Sequence, residues 1–129
     1  MTDITDTTDS SDKNRILEIR TQRFSKDVRV FLKPLSNKPM FFEDVRQLVR
    51  SSGSVAANYI EANESLTKKD FLYRIGISRK EAKESMFWLS MFGGISLEEE
   101  SERKRLHQEA SELLKIFSVI LRNVRRKHN

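Results

Sequence analysis

The chain has 129 residues, of which 24 are Lys or Arg and 19 are Asp or Glu, with no cysteine, two prolines and four glycines. A disulfide scaffold, a cysteine-based zinc site and a thiol nucleophile are therefore excluded. One domain is expected at this length, able to bury about two-thirds of its unfolded surface without a staple or a metal.

The net charge of +5 is uneven. Residues 1–12, MTDITDTTDSSD, hold Asp3, Asp6, Asp9 and Asp12 and no cation, leaving 24 basic against 15 acidic side chains, a net +9, in residues 13–129. Their Thr, Ser and Asp content cannot bury enough apolar surface to order a chain, so a disordered acidic tail is expected over 1–12 and one domain over 13–129. The tail has neither the basic start nor the apolar stretch of a secretory signal. No apolar run approaches the roughly 20 residues that span a bilayer, and a soluble, cytoplasmic protein with no membrane role is expected.

Helical periodicity begins at Lys13. Phe24, Val28, Phe31, Leu32 and Leu35 share one face of a first helix over about 14–35, which Pro34 should end or kink near Lys33. Pro39, followed by Glu43 and Asp44, opens a second helix over about 41–62, because proline suits the first turn and carboxylates favour the positive end of the helix dipole. Val45, Leu48, Ser52, Val55 and Tyr59 form its seam. Ser51, Ser52, Gly53, Ser54, Ala56 and Ala57 make its centre unusually small, and two readings are open there: close approach of another helix, or access for a ligand or an RNA backbone. Asn63 can end this helix in the left-handed conformation.

Thr67 and Asp70 form a cap for a third helix over about 67–92, with Phe71, Ile75, Ser78, Ala82, Ser85, Leu89 and Phe92 on its seam and Gly93–Gly94 as its stop. Ser96 and Glu99 repeat the capping pattern. The fourth helix, about 97–127, carries Leu106, Ala110, Leu113, Phe117, Ile120 and Val124, flanked by Leu114 and Leu121. Four amphipathic helices with short connections predict an all-α, antiparallel up-down-up-down four-helix bundle.

Convergent chemistry is sparse. His107 and His128 stand alone, no metal-ligand spacing or Gly-rich phosphate loop is present, and Ser51–Ser54 lies within a helix instead of at a nucleophile elbow. Glu98-Glu99-Glu100 sits in a first helical turn, where it complements the dipole. The expectation is a non-enzyme with no cofactor and no metal. Asn58, Glu61, Glu81 and Glu84 lie where they could face the bundle interior. They form either a register-setting network, with Arg50 or a backbone amide as partner, or a polar pocket, because a buried carboxylate is costly unless paired.

The stretch from Gln47 to Ala62, QLVRSSGSVAANYIEA, followed by Phe71 and by Ile77-Ser78-Arg79-Lys80-Glu81, resembles the bacterial four-helix-bundle family whose founding members are encoded in intervening sequences of 23S ribosomal RNA genes. Arg50, Ser54, Asn58, Glu61, Ser78 and Glu81 match its polar motif positions. Ala62 and Ile77 stand where the family usually has glycine, which marks a divergent branch. The resemblance implies a homo-oligomer, a barrel-shaped pentamer. Relatives that serve as retroelement accessory proteins bind nucleic acid and a reverse transcriptase, so it also implies those partner classes.

Residues 13–36 hold seven basic and two acidic side chains, and residues 67–92 hold six and three. The six acids of the fourth helix lie at or before Glu112, with Arg122, Arg125, Arg126 and Lys127 crowded at its end. An up-down bundle brings that end beside Lys13, Arg15, Lys68 and Lys69. These eight residues form the expected nucleic-acid surface, although cations at a helix C-terminus are also favoured by the dipole alone. Ile77, Trp88 and Met91, with Tyr73 and Phe87 nearby, form an apolar edge on the third helix that suits a subunit interface. The expected function is a non-enzymatic, homo-oligomeric accessory protein that binds nucleic acid, RNA above all. The alternative is a protein-interaction scaffold with no nucleic-acid role.

Overall fold

A computed structural model describes the backbone of residues 2–127 and the side chains of residues 11–127. Four helices, α1 (Thr2–Leu32), α2 (Phe42–Asn63), α3 (Lys68–Leu89) and α4 (Leu97–Lys127), follow one another, with a single 3-10 turn at Pro39–Phe41 leading into α2. Each helix packs on two neighbours, so the four close into a ring around one core. Residue numbers rise along one helix as they fall along the next. Arg20 and Asp27 of α1 meet Glu109 and Arg105 of α4, and Arg50 and Asn58 of α2 meet Glu81 and Arg74 of α3.

The apolar seams meet as their spacing predicts. Phe24, Val28, Leu48, Val55, Ile75, Ala82, Leu106, Leu113 and Phe117 are all buried, and Tyr59 tilts against Phe117 at 5.8 Å. The small stripe of α2 is spent on packing. The hydroxyls of Ser51 and Ser85 lie 2.9 Å apart across the α2–α3 seam, and Ser52 and Ala56 are buried beside them. Gly53 does not force this approach, since a Cβ there would stand 3.9 Å from the Arg29 and Ser25 side chains of α1, an ordinary contact. On α4 the seam runs through Leu121, with Ile120 and Val124 half-buried, because a straight 3.6-residue helix drifts from a strict alternation of three and four.

Several boundaries differ from the sequence expectation. α1 starts at Thr2 instead of about 14, since no Pro or Gly lies ahead of Pro34 to interrupt helical propagation. The expected tail over 1–12 otherwise falls largely on residues whose side chains lie outside those described, as do Met1 and His128. α1 stops at Leu32, and the buried Leu35 sits in the following turn, its amide bonded to the Leu32 carbonyl. Asn63 is not left-handed. α2 ends by a tight turn in which the Glu64 and Ser65 amides bond to the Glu61 and Ala62 carbonyls, and the Asn63 amide group donates instead to Glu18 of α1 at 2.9 Å.

α3 ends at Leu89, before the expected 92. The Ser90 amide closes the helix on Met86, and Phe92 tucks between Phe31 and Phe41 at 5.6 and 5.1 Å. Gly94, at φ +69°, takes the left-handed backbone that reverses the chain. Both caps form as expected. The Asp70 amide donates to Thr67 Oγ1, while Ser96 and Glu99 exchange side-chain and backbone bonds in a reciprocal box. That backbone amide at Ser96 holds the Glu99 carboxyl below its ordinary value.

Candidate nucleic-acid interface

Two groups stand out among the arginines of the bundle, apart from Arg29 and Arg74, which bond to Ser25 and Asn58, and from Arg15 and Arg23 on α1. In the first, a carboxylate occupies the guanidinium. Arg20 forks onto Glu109 at 2.6 Å and reaches Glu112, Arg105 bridges Glu102 and Asp27, and Arg103 holds Glu100 and reaches the Leu89 carbonyl. The hydrogen bond and charge of Glu109 push the Arg20 guanidinium further above its ordinary range. The charge of each such group is already compensated, so a phosphate would have to compete with the carboxylate that holds it.

The second group is Arg79, Arg122, Arg125 and Arg126. Among the described residues, no carboxylate lies in salt-bridge range of these four, in contrast to the first group. They line one open groove of about 580 Å³ between α3 and α4, together with Gly76, Ser118 and Leu121. Arg122, Arg125 and Arg126 stand at i, i+3 and i+4, one face of α4. Arg79 enters from α3 and is held by its Nε donating to Ser118 Oγ at 2.7 Å, and Ser118 in turn donates to the Leu114 carbonyl at 2.8 Å. The other nitrogens of Arg79 remain available. Clustered guanidinium groups with unspent donors suit phosphate oxygens, which they can grip by two bonds each.

Of the eight expected nucleic-acid residues, the groove gathers Arg122, Arg125 and Arg126. Lys127 lines an adjoining depression with Asn123 and Val124. Lys68 and Lys69 are exposed at the start of α3, and Lys13 and Arg15 are exposed on α1, but none of these four lines the groove. Lys13 stands seven residues before Arg20, which meets Glu109 and Glu112, so the antiparallel register sets it about level with residues 116–119. That is about 12–16 Å short of the end of α4. Arg79 and Gly76 were missed because Arg79 opens a mixed-charge stretch, Arg79 to Glu84, that reads as an ordinary solvated face, and only the contact with Ser118 of α4 sets it apart.

The motif residues form two networks along the α2–α3 seam. Arg50 donates to Glu81 at 2.8 Å, also pairs with Glu84, and is steadied by Gln47 at 3.1 Å. Glu81 is buried, and the indole of Trp88 donates to Glu84 at 3.3 Å. Asn58 donates to the Ser54 carbonyl and hydroxyl and accepts from Arg74, while Ser78 donates to the Val55 carbonyl from a fully buried position. No buried side-chain nitrogen or oxygen among the described residues lacks a partner. Glu61 stays outside the networks, exposed in the last turn of α2. On the outer side of α3, Met91 is exposed, Ile77 and Trp88 are half-buried, and Trp88 also packs against the core and edge-on to Phe87 at 4.8 Å.

Among the described residues, no three of His, Cys, Asp and Glu are grouped as a metal would require, and no helix is long and apolar enough to cross a membrane. No curated protein matches the chain. A solved structure that it resembles is a protein of unknown function from the S23 ribosomal protein family of Bacteroides thetaiotaomicron. The identity is 25%, the TM-score 0.75, and the likeness covers 85% of this chain and 98% of that one. The family of 23S rRNA-intervening sequence proteins matches residues 17–118, a span that takes in all of α2 and α3 and most of the core residues of α1 and α4. The chain therefore belongs to the family of 23S rRNA-intervening sequence proteins.

Proposed function

We propose that this protein is a non-enzymatic accessory factor of the cytoplasm that binds nucleic acid, RNA above all, through the α3–α4 groove, and that it acts as a homo-oligomer. The observation that carries the reading is convergence: Arg79, Arg122, Arg125 and Arg126, with no carboxylate in salt-bridge range among the described residues, line one open groove. Phosphate is the anion that such a cluster would meet on a polymer, and counterion release would then dominate affinity. The test is a titration of labelled RNA with the purified protein. Affinity is expected to fall by orders of magnitude between about 50 and 200 mM salt; no binding at the lower salt would refute the reading.

The subunit contact belongs to the outer edge of α3. Phe87 and Met91 are 52% and 44% exposed beside the half-buried Trp88 and Ile77, an apolar group on an otherwise charged helix. The resemblance implies five subunits. Replacing Phe87 and Met91 together with glutamate is expected to reduce the mass in solution from a multiple to the 15.1 kDa of one chain, as read by light scattering. An unchanged mass would remove α3 from the interface.

A second reading, a protein-interaction scaffold, is favoured by the opposite end of the bundle. There Val30, Phe31 and Pro34 floor a shallow groove rimmed by Asp27, Glu98, Glu99 and Glu102, a surface suited to a basic, apolar segment of another protein. Recovery of one stoichiometric protein partner, with no RNA bound at any salt, would favour it.

A further inference from the structure

Gly76 has no evident structural duty. It lies inside α3 with negative φ, so no turn requires it, and a Cβ built on it would meet nothing within 4 Å. Glycine inside a helix is destabilising relative to almost any other residue. Gly53 differs, since its missing side chain faces Ser25 and Arg29 of the neighbouring helix. The space over Gly76 is the floor of the arginine groove, one helical turn from Arg79 and across from Arg122 and Arg125.

We infer that Gly76 keeps this floor open for the backbone of a single-stranded nucleic acid. The inference rests on the reading of the groove as the nucleic-acid site, and it narrows the ligand. The groove is a furrow on the outside of two packed helices, and the missing side chain at Gly76 deepens it enough for one flexible phosphodiester strand to follow its floor. A duplex, with two backbones wound around stacked base pairs, is too broad for it and would rest on the outer arginines without reaching residue 76. A strand on the floor places phosphates between Arg79 on one wall and Arg122 and Arg125 on the other. Tyr73, 65% exposed and three residues before Gly76 on α3, offers a ring on which a base of that strand can stack.

The experiment uses the full chain and two fluorescein-labelled probes of equal length, a 12-nucleotide single-stranded RNA and the corresponding duplex, each titrated at low salt with the wild-type protein and with Gly76→Phe. Helix propensity favours the variant, so its melting temperature is expected to be unchanged or higher. The ring should fill the floor. Binding of the single strand is expected to weaken at least tenfold, while duplex binding changes less than twofold. A Gly76→Phe protein that is folded and binds the single strand as the wild type does would overturn the inference while leaving the groove's arginines in place as a nucleic-acid site. So would a wild type that binds only the duplex. A wild type that binds neither probe refutes the underlying reading as well, which separates the two failures. Should the variant unfold, Gly76→Gln supplies a flexible, uncharged obstruction for the same comparison.

Discussion

Replacing Arg122, Arg125 and Arg126 together with glutamine is expected to weaken RNA binding about a hundredfold near 50 mM salt and to flatten its salt dependence. Each charge-assisted contact contributes on the order of 1 kcal/mol or more to a phosphate, so three of them account for the drop. The slope of log affinity against log salt is expected to become less steep by about 2, since each neutralised phosphate of a single strand contributes roughly 0.7. The slope is the sharper readout, because it counts ion release and is insensitive to small changes in protein stability. Arg105→Gln provides the control. Its guanidinium is held by Glu102 and Asp27 at the surface, so the substitution should cost at most about 1 kcal/mol of stability and leave the slope unchanged. Equal slopes for the triple variant and the wild type would place the phosphate contacts elsewhere on the molecule.

Arg50→Ala is expected to destabilise the bundle by about 3 kcal/mol, because it strands a carboxylate that the fold has nearly closed off from water. The Glu81 side chain is only 8% exposed and meets Arg50 at 2.8 Å, whereas Arg50 itself is half exposed, which sets the effect at the lower end for a broken buried pair. The shift in the urea midpoint, at constant m, measures it. Adding Glu81→Gln to Arg50→Ala should recover part of the loss, since a neutral amide is cheaper to leave in that place than a charge. A loss below about 0.5 kcal/mol would mean that the carboxylate finds water or another donor, and the pair would then have no part in fixing the α2–α3 register.

The motif carried its own geometry. Arg50, Asn58, Ser78 and Glu81 lie on two helices that a short turn makes antiparallel, so sequence spacing makes Arg50 a candidate partner for the carboxylates of α3. The side chains agree at 2.8 Å. Glu61 shares the helical face of Arg50 and Asn58 but lies in the last turn of α2 and is exposed, which spacing alone does not show. Asn63 shows the same limit at a helix end. Its side chain found a better use in bonding Glu18 of α1, 45 positions away along the chain, than in a left-handed cap.

By itself the sequence determined the helices, their caps and their core faces, because 3.6-residue periodicity, Thr67, Ser96, Pro34 and Gly94 act through neighbours a few residues away. It also determined that cations crowd the end of α4. Only the tertiary structure decided which of them have a partner and which converge. Arg79 and Ser118 meet although 39 positions separate them, and counting outward from the contact between Arg103 and Leu89 would set Arg79 near residue 113 instead. Helical side chains lean toward their own N-terminus, so on antiparallel helices the Arg79 side chain leans toward the end of α4 and the Arg103 side chain leans toward the turn. That lean moves Arg79 by more than a turn, out of the paired region of the bundle and into the groove above Gly76.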